Sequence, residues 1–117
     1  MGRAIVTGLV EADVLPASQV IASVRRAETA VRLRADLGIE VVTDNVEAVE
    51  RADIVVLAVK PQVAREVLSD PYLQSAMENR LLISIVAGVR LSQLDRWLPF
   101  SSLIRAMPNT PCTIRQG

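Results

Sequence analysis

The residues best placed for chemistry lie where aliphatic runs stop. Ala52-Asp53-Ile54-Val55-Val56-Leu57-Ala58-Val59-Lys60-Pro61-Gln62 carries a β-branched run straight into Lys-Pro. Such a run reads as a strand buried on both faces of a parallel sheet, ending in a turn that Pro61 converts into a helix start. In open α/β sheets ligands bind just beyond the carboxyl ends of strands. Lys60 and the backbone N–H groups of Ala58 and Val59 then stand where a phosphate or cofactor would lie. Lys60 has a second reading, because a lysine following a buried strand also escapes burial by snorkelling to solvent. Leu81 to Val86 reads as another doubly buried strand, closed by Ala87-Gly88. A glycine there lets a flat ring or a phosphate approach the backbone, or simply makes a turn.

Three further groups carry similar alternatives. A dinucleotide-binding fold needs a strand, a glycine-rich turn and a helix facing the pyrophosphate, with a ribose-binding residue about twenty positions further on. Only Met1-Gly2 matches the end of such a turn, and counting from it lands on Ser23-Val24-Arg25-Arg26. A hydroxyl and two guanidinium groups suit a 2′-phosphate, hence NADP over NAD; the same residues also read as a solvated polar turn. Asn45 reads either as a helix cap or as a group facing the adenosine half of a cofactor. In Arg105-Ala106-Met107-Pro108-Asn109-Thr110-Pro111 two prolines bracket Asn-Thr and hold Met107 and Thr110 extended, so Asn109 and Thr110 are presented at fixed positions.

The elements that must position these groups alternate along the chain. Ile5, Val6, Leu9 and Val10 recur at helical spacing over residues 3–12, with Gly8 inside and Asp13 and Pro16 after it. The pattern then predicts strands at 19–24, 39–42, 53–59, 81–86 and 102–106. Helices are predicted at 28–37, 61–68, 91–98 and, following a polar stretch around Ser69-Asp70-Pro71, to about Asn79. Gly38 reads as a stop signal, and Thr43-Asp44-Asn45 with Glu47 as a capping box. Strand and helix in alternation argue an α/β fold with a mainly parallel, Rossmann-like sheet and helices on both faces.

Bulk properties exclude several classes. The 117 residues carry 13 basic and 13 acidic side chains, 50% apolar residues and three aromatics, Tyr72, Trp97 and Phe100. That is globular composition for one domain, without the basic excess and aromatic platforms of a nucleic-acid surface. There is no histidine, which removes the commonest general base and the commonest zinc ligand, so no metal is expected. The single Cys112 has no histidine partner for nucleophilic catalysis and points to a reducing compartment. The apolar run Ala4 to Val10 is too short for a membrane span. A cytoplasmic location is the expectation.

Taken together, four stretches resemble pyrroline-5-carboxylate reductase in order and spacing: 43–45, 52–62, 83–89 and 105–111. The pairing of Val-Lys-Pro-Gln with Met-Pro-Asn-Thr-Pro is specific, and the likeness covers essentially the whole chain. The resemblance implies NADPH-dependent reduction of the small imine 1-pyrroline-5-carboxylate to proline. It places NADP(H) on Ser23, Asn45, the turn Ala58, Val59, Lys60 and Pro61, and on Ile85, Val86 and Ala87. Asn109 and Thr110 would border the nicotinamide and the imine, while Arg25 is assigned to the 2′-phosphate by position alone. It further implies that residues 1–117 are a partial cofactor domain lacking the first strand and its glycine-rich loop. A helical domain that forms a homo-oligomer and binds substrate would lie beyond it. The alternatives are a non-catalytic NADP-binding or partner-association module, or a reductase of another substrate.

Overall fold

The computed structural model describes residues 6–8, 11–12 and 15–106. They form two compact units that divide in sequence between Arg51 and Ala52.

In the first unit a helical turn at residues 6–8 precedes β1 (Ile21–Ser23), α1 (Ala27–Leu37), β2 (Glu40–Val42) and α2 (Asn45–Glu50). The expected strand from Gln19 starts later because Pro16 opens a 3₁₀ turn, Gln19 donating to the Pro16 carbonyl at 3.0 Å. Along α1, Ala30, Leu33 and Leu37 fall on one face and pack with Val6, Val20, Ala22, Ile39 and Val41. Gly38 ends the helix at φ +66°, a left-handed conformation that costs a residue with a Cβ about 1 kcal/mol. β1 and β2 pair in parallel, Ile21 opposite Glu40 and Ser23 opposite Val42. Val24 donates to the Val42 carbonyl at 3.0 Å, so the Val41 carbonyl faces away from β1. The Arg34 guanidinium reaches back from α1 and donates to it at 3.0 and 2.6 Å, covering that edge.

The second unit contains β3 (Ile54–Leu57), α3 (Pro61–Leu68), α4 (Pro71–Ala76), β4 (Leu81–Ser84), α5 (Leu91–Trp97) and β5 (Ser102–Arg105). Its sheet has the order β3-β4-β5 and is wholly parallel. Helix starts follow the sequence signals. Pro61 and Pro71 occupy first-turn positions, Asp70 accepts from the Tyr72 N–H at 2.9 Å, and Gln93 Oε1 accepts from the Arg90 N–H at 3.0 Å. Leu68, Met77, Leu82, Leu94 and Leu98 are fully buried. Each such side chain contributes roughly 1.5–3 kcal/mol by burial. Arg80 braces the start of the sheet, donating to the carbonyls of Ala52 (2.8 Å) and Ala76.

Two expectations are corrected here. β3 is not buried on both faces: Val55 and Leu57 turn inward, whereas Ile54 and Val56 remain 57% and 42% exposed. Strand alternation sends these two side chains to the face they share with Ile104, which is also exposed. β4 likewise buries Leu82 and Ser84 while Leu81 and Ile83 are half-buried, so one face of this sheet is packed and the other is partly open.

Candidate functional site

The carboxyl ends of the second unit's strands bring two of the expected segments together. Leu57 stands opposite Ser84 in the β3–β4 register, and the Ile85 N–H donates to the Leu57 carbonyl at 3.1 Å. The turns Ala58–Pro61 and Ile85–Ala87 therefore leave neighbouring strands at the same level. The Ala106 N–H donates to the Ser84 carbonyl at 2.8 Å, so the end of β5 emerges beside them. Ala58, Val59, Lys60 and Pro61 are all exposed.

Lys60 is the residue before α3, and its carbonyl accepts from Val63 and Ala64 at 2.9 Å each. Its side chain is exposed, which accords with both readings of this lysine. The ammonium adds to the partial positive charge that any helix N-terminus carries. In the second turn Ile85 is half-buried and Ala87 exposed, but Val86 is only 2% exposed. Its side chain belongs to the core, and its N–H is taken up within the protein by Ser84 Oγ. Gly88, at φ +78°, completes the reversal.

The first unit joins another expected pair. The Ser23 hydroxyl, at the end of β1, donates to Asn45 Oδ1 at 2.6 Å. Asn45 is not the cap of α2. Asp44 is, accepting from the Val46 N–H at 2.9 Å. Asn45 sits one position later with its side chain exposed, and Oδ1 facing Ser23 turns its two Nδ2–H donors away from the hydroxyl. Glu47 does not complete the expected box in this arrangement: it lies 3.8 Å from Arg51. Arg25 and Arg26 are exposed just past β1, Arg26 immediately preceding α1.

A separate charge cluster marks the opposite end of β2. Both terminal nitrogens of Arg51 bond the Glu40 carboxylate. These hydrogen bonds, with the Arg51 and Arg34 charges behind them, hold the Glu40 carboxyl below the usual glutamate range, against the opposing effect of desolvation. Glu40 opens β2 and Ser23 closes the parallel β1, so this cluster lies at the amino end of the strand pair and the Ser23–Asn45 contact at its carboxyl end.

The strand ends of the second unit thus offer N–H donors and a cation, and those of the first a hydroxyl, an amide and cations, each set being equipment for binding an anionic or polar ligand group. Sequence reading passed over Ser84, a lone hydroxyl in an aliphatic strand that is fully buried and accepts from the Val86 N–H at 3.3 Å. Its polarity inside Leu-Leu-Ile-Ser-Ile-Val was the available signal. Asn109 and Thr110 lie outside the described residues. Among the described residues no group of three or more His, Cys, Asp or Glu is placed to hold a metal, and no helix is long and apolar enough to cross a membrane.

Comparison with known proteins decides the family. Residues 1–88 match the family described as NADP oxidoreductase, coenzyme F420-dependent. The chain belongs to this family. Among curated proteins the chain is similar to a pyrroline-5-carboxylate reductase of Vibrio alginolyticus, 42% identical over 118 aligned residues that cover 100% of this chain and 43% of the relative. The solved pyrroline-5-carboxylate reductase of Coxiella burnetii superposes with a TM-score of 0.87 at 32% identity, covering 97% of this chain and 42% of that one. The pyrroline carboxylate reductase of Plasmodium falciparum, solved with NADP bound, gives a TM-score of 0.78 at 26% identity, over 97% of this chain and 40% of that one. The resemblance read from the sequence is borne out, as is the Rossmann-like α/β fold. The chain spans about 43% of the length of the first of these relatives.

Proposed function

We propose that this chain is the cofactor-holding part of an NADPH-dependent pyrroline-5-carboxylate reductase, acting in the cytoplasm on 1-pyrroline-5-carboxylate to give proline. The observation that carries the reading is the β3–β4 register, Leu57 opposite Ser84, which sends the 58–61 and 85–87 turns out side by side. Relatives named for this reaction match over the chain's whole length, which supports the choice of substrate.

On the resemblance, each unit supplies groups whose chemistry suits part of a phosphorylated dinucleotide. Lys60 and the start of α3 suit the pyrophosphate, and Ile85 and Ala87 give an apolar edge beside it. The Ser23–Asn45 pair suits a ribose, its amide N–H groups donating and its hydroxyl oxygen accepting. Arg25 suits the 2′-phosphate. When bound, NADPH supplies the hydride that reduces the C=N bond. With no histidine in the chain, the protein's contribution here is binding and orientation. Asn109 and Thr110 are assigned to the substrate side on the resemblance alone.

On this reading the isolated chain binds NADPH weakly and reduces no imine by itself. The groups that hold the substrate carboxylate and join two subunits belong to the further length that its relatives possess. Calorimetric titration with NADPH and NADH, followed by an assay with pyrroline-5-carboxylate, tests this. Binding of NADPH in preference to NADH, without turnover, is the expected result. Absence of any nucleotide binding contradicts the function, and turnover by residues 1–117 contradicts the division of labour.

A further inference from the structure

We infer that Ser84 is a positioning residue for the cofactor turn, an inference that rests on the function proposed above. Its hydroxyl is fully buried, at the level of Leu57 on the packed face of the sheet. A hydroxyl in such a place is disfavoured unless it makes a hydrogen bond that the fold needs. The bond it makes is to the Val86 N–H, at 3.3 Å.

That N–H is the one the sheet itself leaves over. Ser102 donates to the Arg80 carbonyl and Ala106 to the Ser84 carbonyl, so even-numbered residues of this segment face β5. Continuing the ladder would direct the Val86 N–H toward β5 as well, but β4 ends at Ser84 and β5 at Arg105. Ser84 Oγ takes the orphaned donor two residues on, the local hydroxyl-to-backbone bond that stops a strand and begins a turn. With Val86 anchored in the core and Gly88 at φ +78°, both ends of the segment are fixed. Ile85 and Ala87 are then held outward as a preformed surface. Ser84 touches no cofactor; it acts by holding the backbone whose neighbours do.

The discriminating pair is Ser84→Thr and Ser84→Val, which add the same bulk to the core and differ in the hydroxyl. Calorimetry should find NADPH affinity in Ser84→Thr about fivefold or more above that in Ser84→Val, the order of one hydrogen bond. Equal affinities overturn the role. Ser84→Ala, which adds no bulk, guards against misfolding of the larger variants. In it amide exchange at Val86 should accelerate at least about fivefold while Leu82 and Ile83 keep their protection. Unchanged Val86 exchange also overturns the role. That exchange measurement needs no cofactor, so it judges Ser84 even where the parent chain fails to bind NADPH, a failure that would refute the proposed function instead.

Discussion

The Ser23 hydroxyl and the Asn45 amide meet at 2.6 Å although 22 residues separate them. Two things create the contact: the parallel β1–β2 register, which brings Ser23 level with Val42, and the Asp44 cap that starts α2 immediately afterwards. Because Asp44 does the capping, binding and stability are separable here. Asp44→Ala should destabilise the fold by about 1 kcal/mol. Asn45→Asp should leave the melting temperature unchanged or slightly raised, since an acidic residue suits a helix's first turn. The same variant loses two donors and gains a negative charge, and should weaken NADPH binding by about tenfold or more. Calorimetry and thermal melts on both variants check this.

Arg25 provides the test of nucleotide preference. If it serves the 2′-phosphate, Arg25→Ala should weaken NADPH by about tenfold and leave NADH nearly unaffected. The NADPH affinity of the parent should also fall with added salt more steeply than that of the variant. Equal losses for both nucleotides would remove Arg25 from the site.

Acid sensitivity follows from the Arg51–Glu40 pair. The Glu40 carboxyl is held below its ordinary value of 4.5 by the hydrogen bonds from Arg51. A depressed carboxyl contributes stability above its unfolded value, and that contribution is lost as the pH drops through its folded one. Arg51→Gln should therefore raise the midpoint of acid unfolding and narrow the difference in urea stability between neutral and acid solution. Both groups are exposed, so high salt should shrink the effect.

Gly38 and Gly88 both have positive φ, and a Cβ on either would meet nothing within 4 Å. Alanine at either position should cost about 1 kcal/mol through backbone strain alone. Urea unfolding should show the same small loss for both. Only Gly88→Ala should also lower NADPH affinity, because Gly88 closes the turn proposed to hold the cofactor.

Much of the fold is legible in the sequence because local signals set it. Pro61 starts α3, Gly38 stops α1, and Asp44 caps α2, each through its own local chemistry. Strand limits were less legible. Val86 continues an aliphatic run, yet β4 stops at Ser84 because its partner β5 stops at Arg105. The exposure of Ile54 and Val56 was hidden for a related reason. An unbroken aliphatic run specifies a strand without saying whether both of its faces are covered. At the site, residue types flagged Ser23, Asn45 and Lys60 singly. That Ser23 touches Asn45, and that the 58–61 and 85–87 turns adjoin, depends on strand register, which no short segment encodes.

The most direct test is backbone NMR of the ¹⁵N-labelled chain during titration with NADPH. Amide shifts should concentrate at Ser23 and Asn45 and in the turns 58–60 and 85–87, and be smaller at Glu40 and Arg51. Shifts that spare those strand ends, or that centre on the amino ends of the strands, would contradict the account.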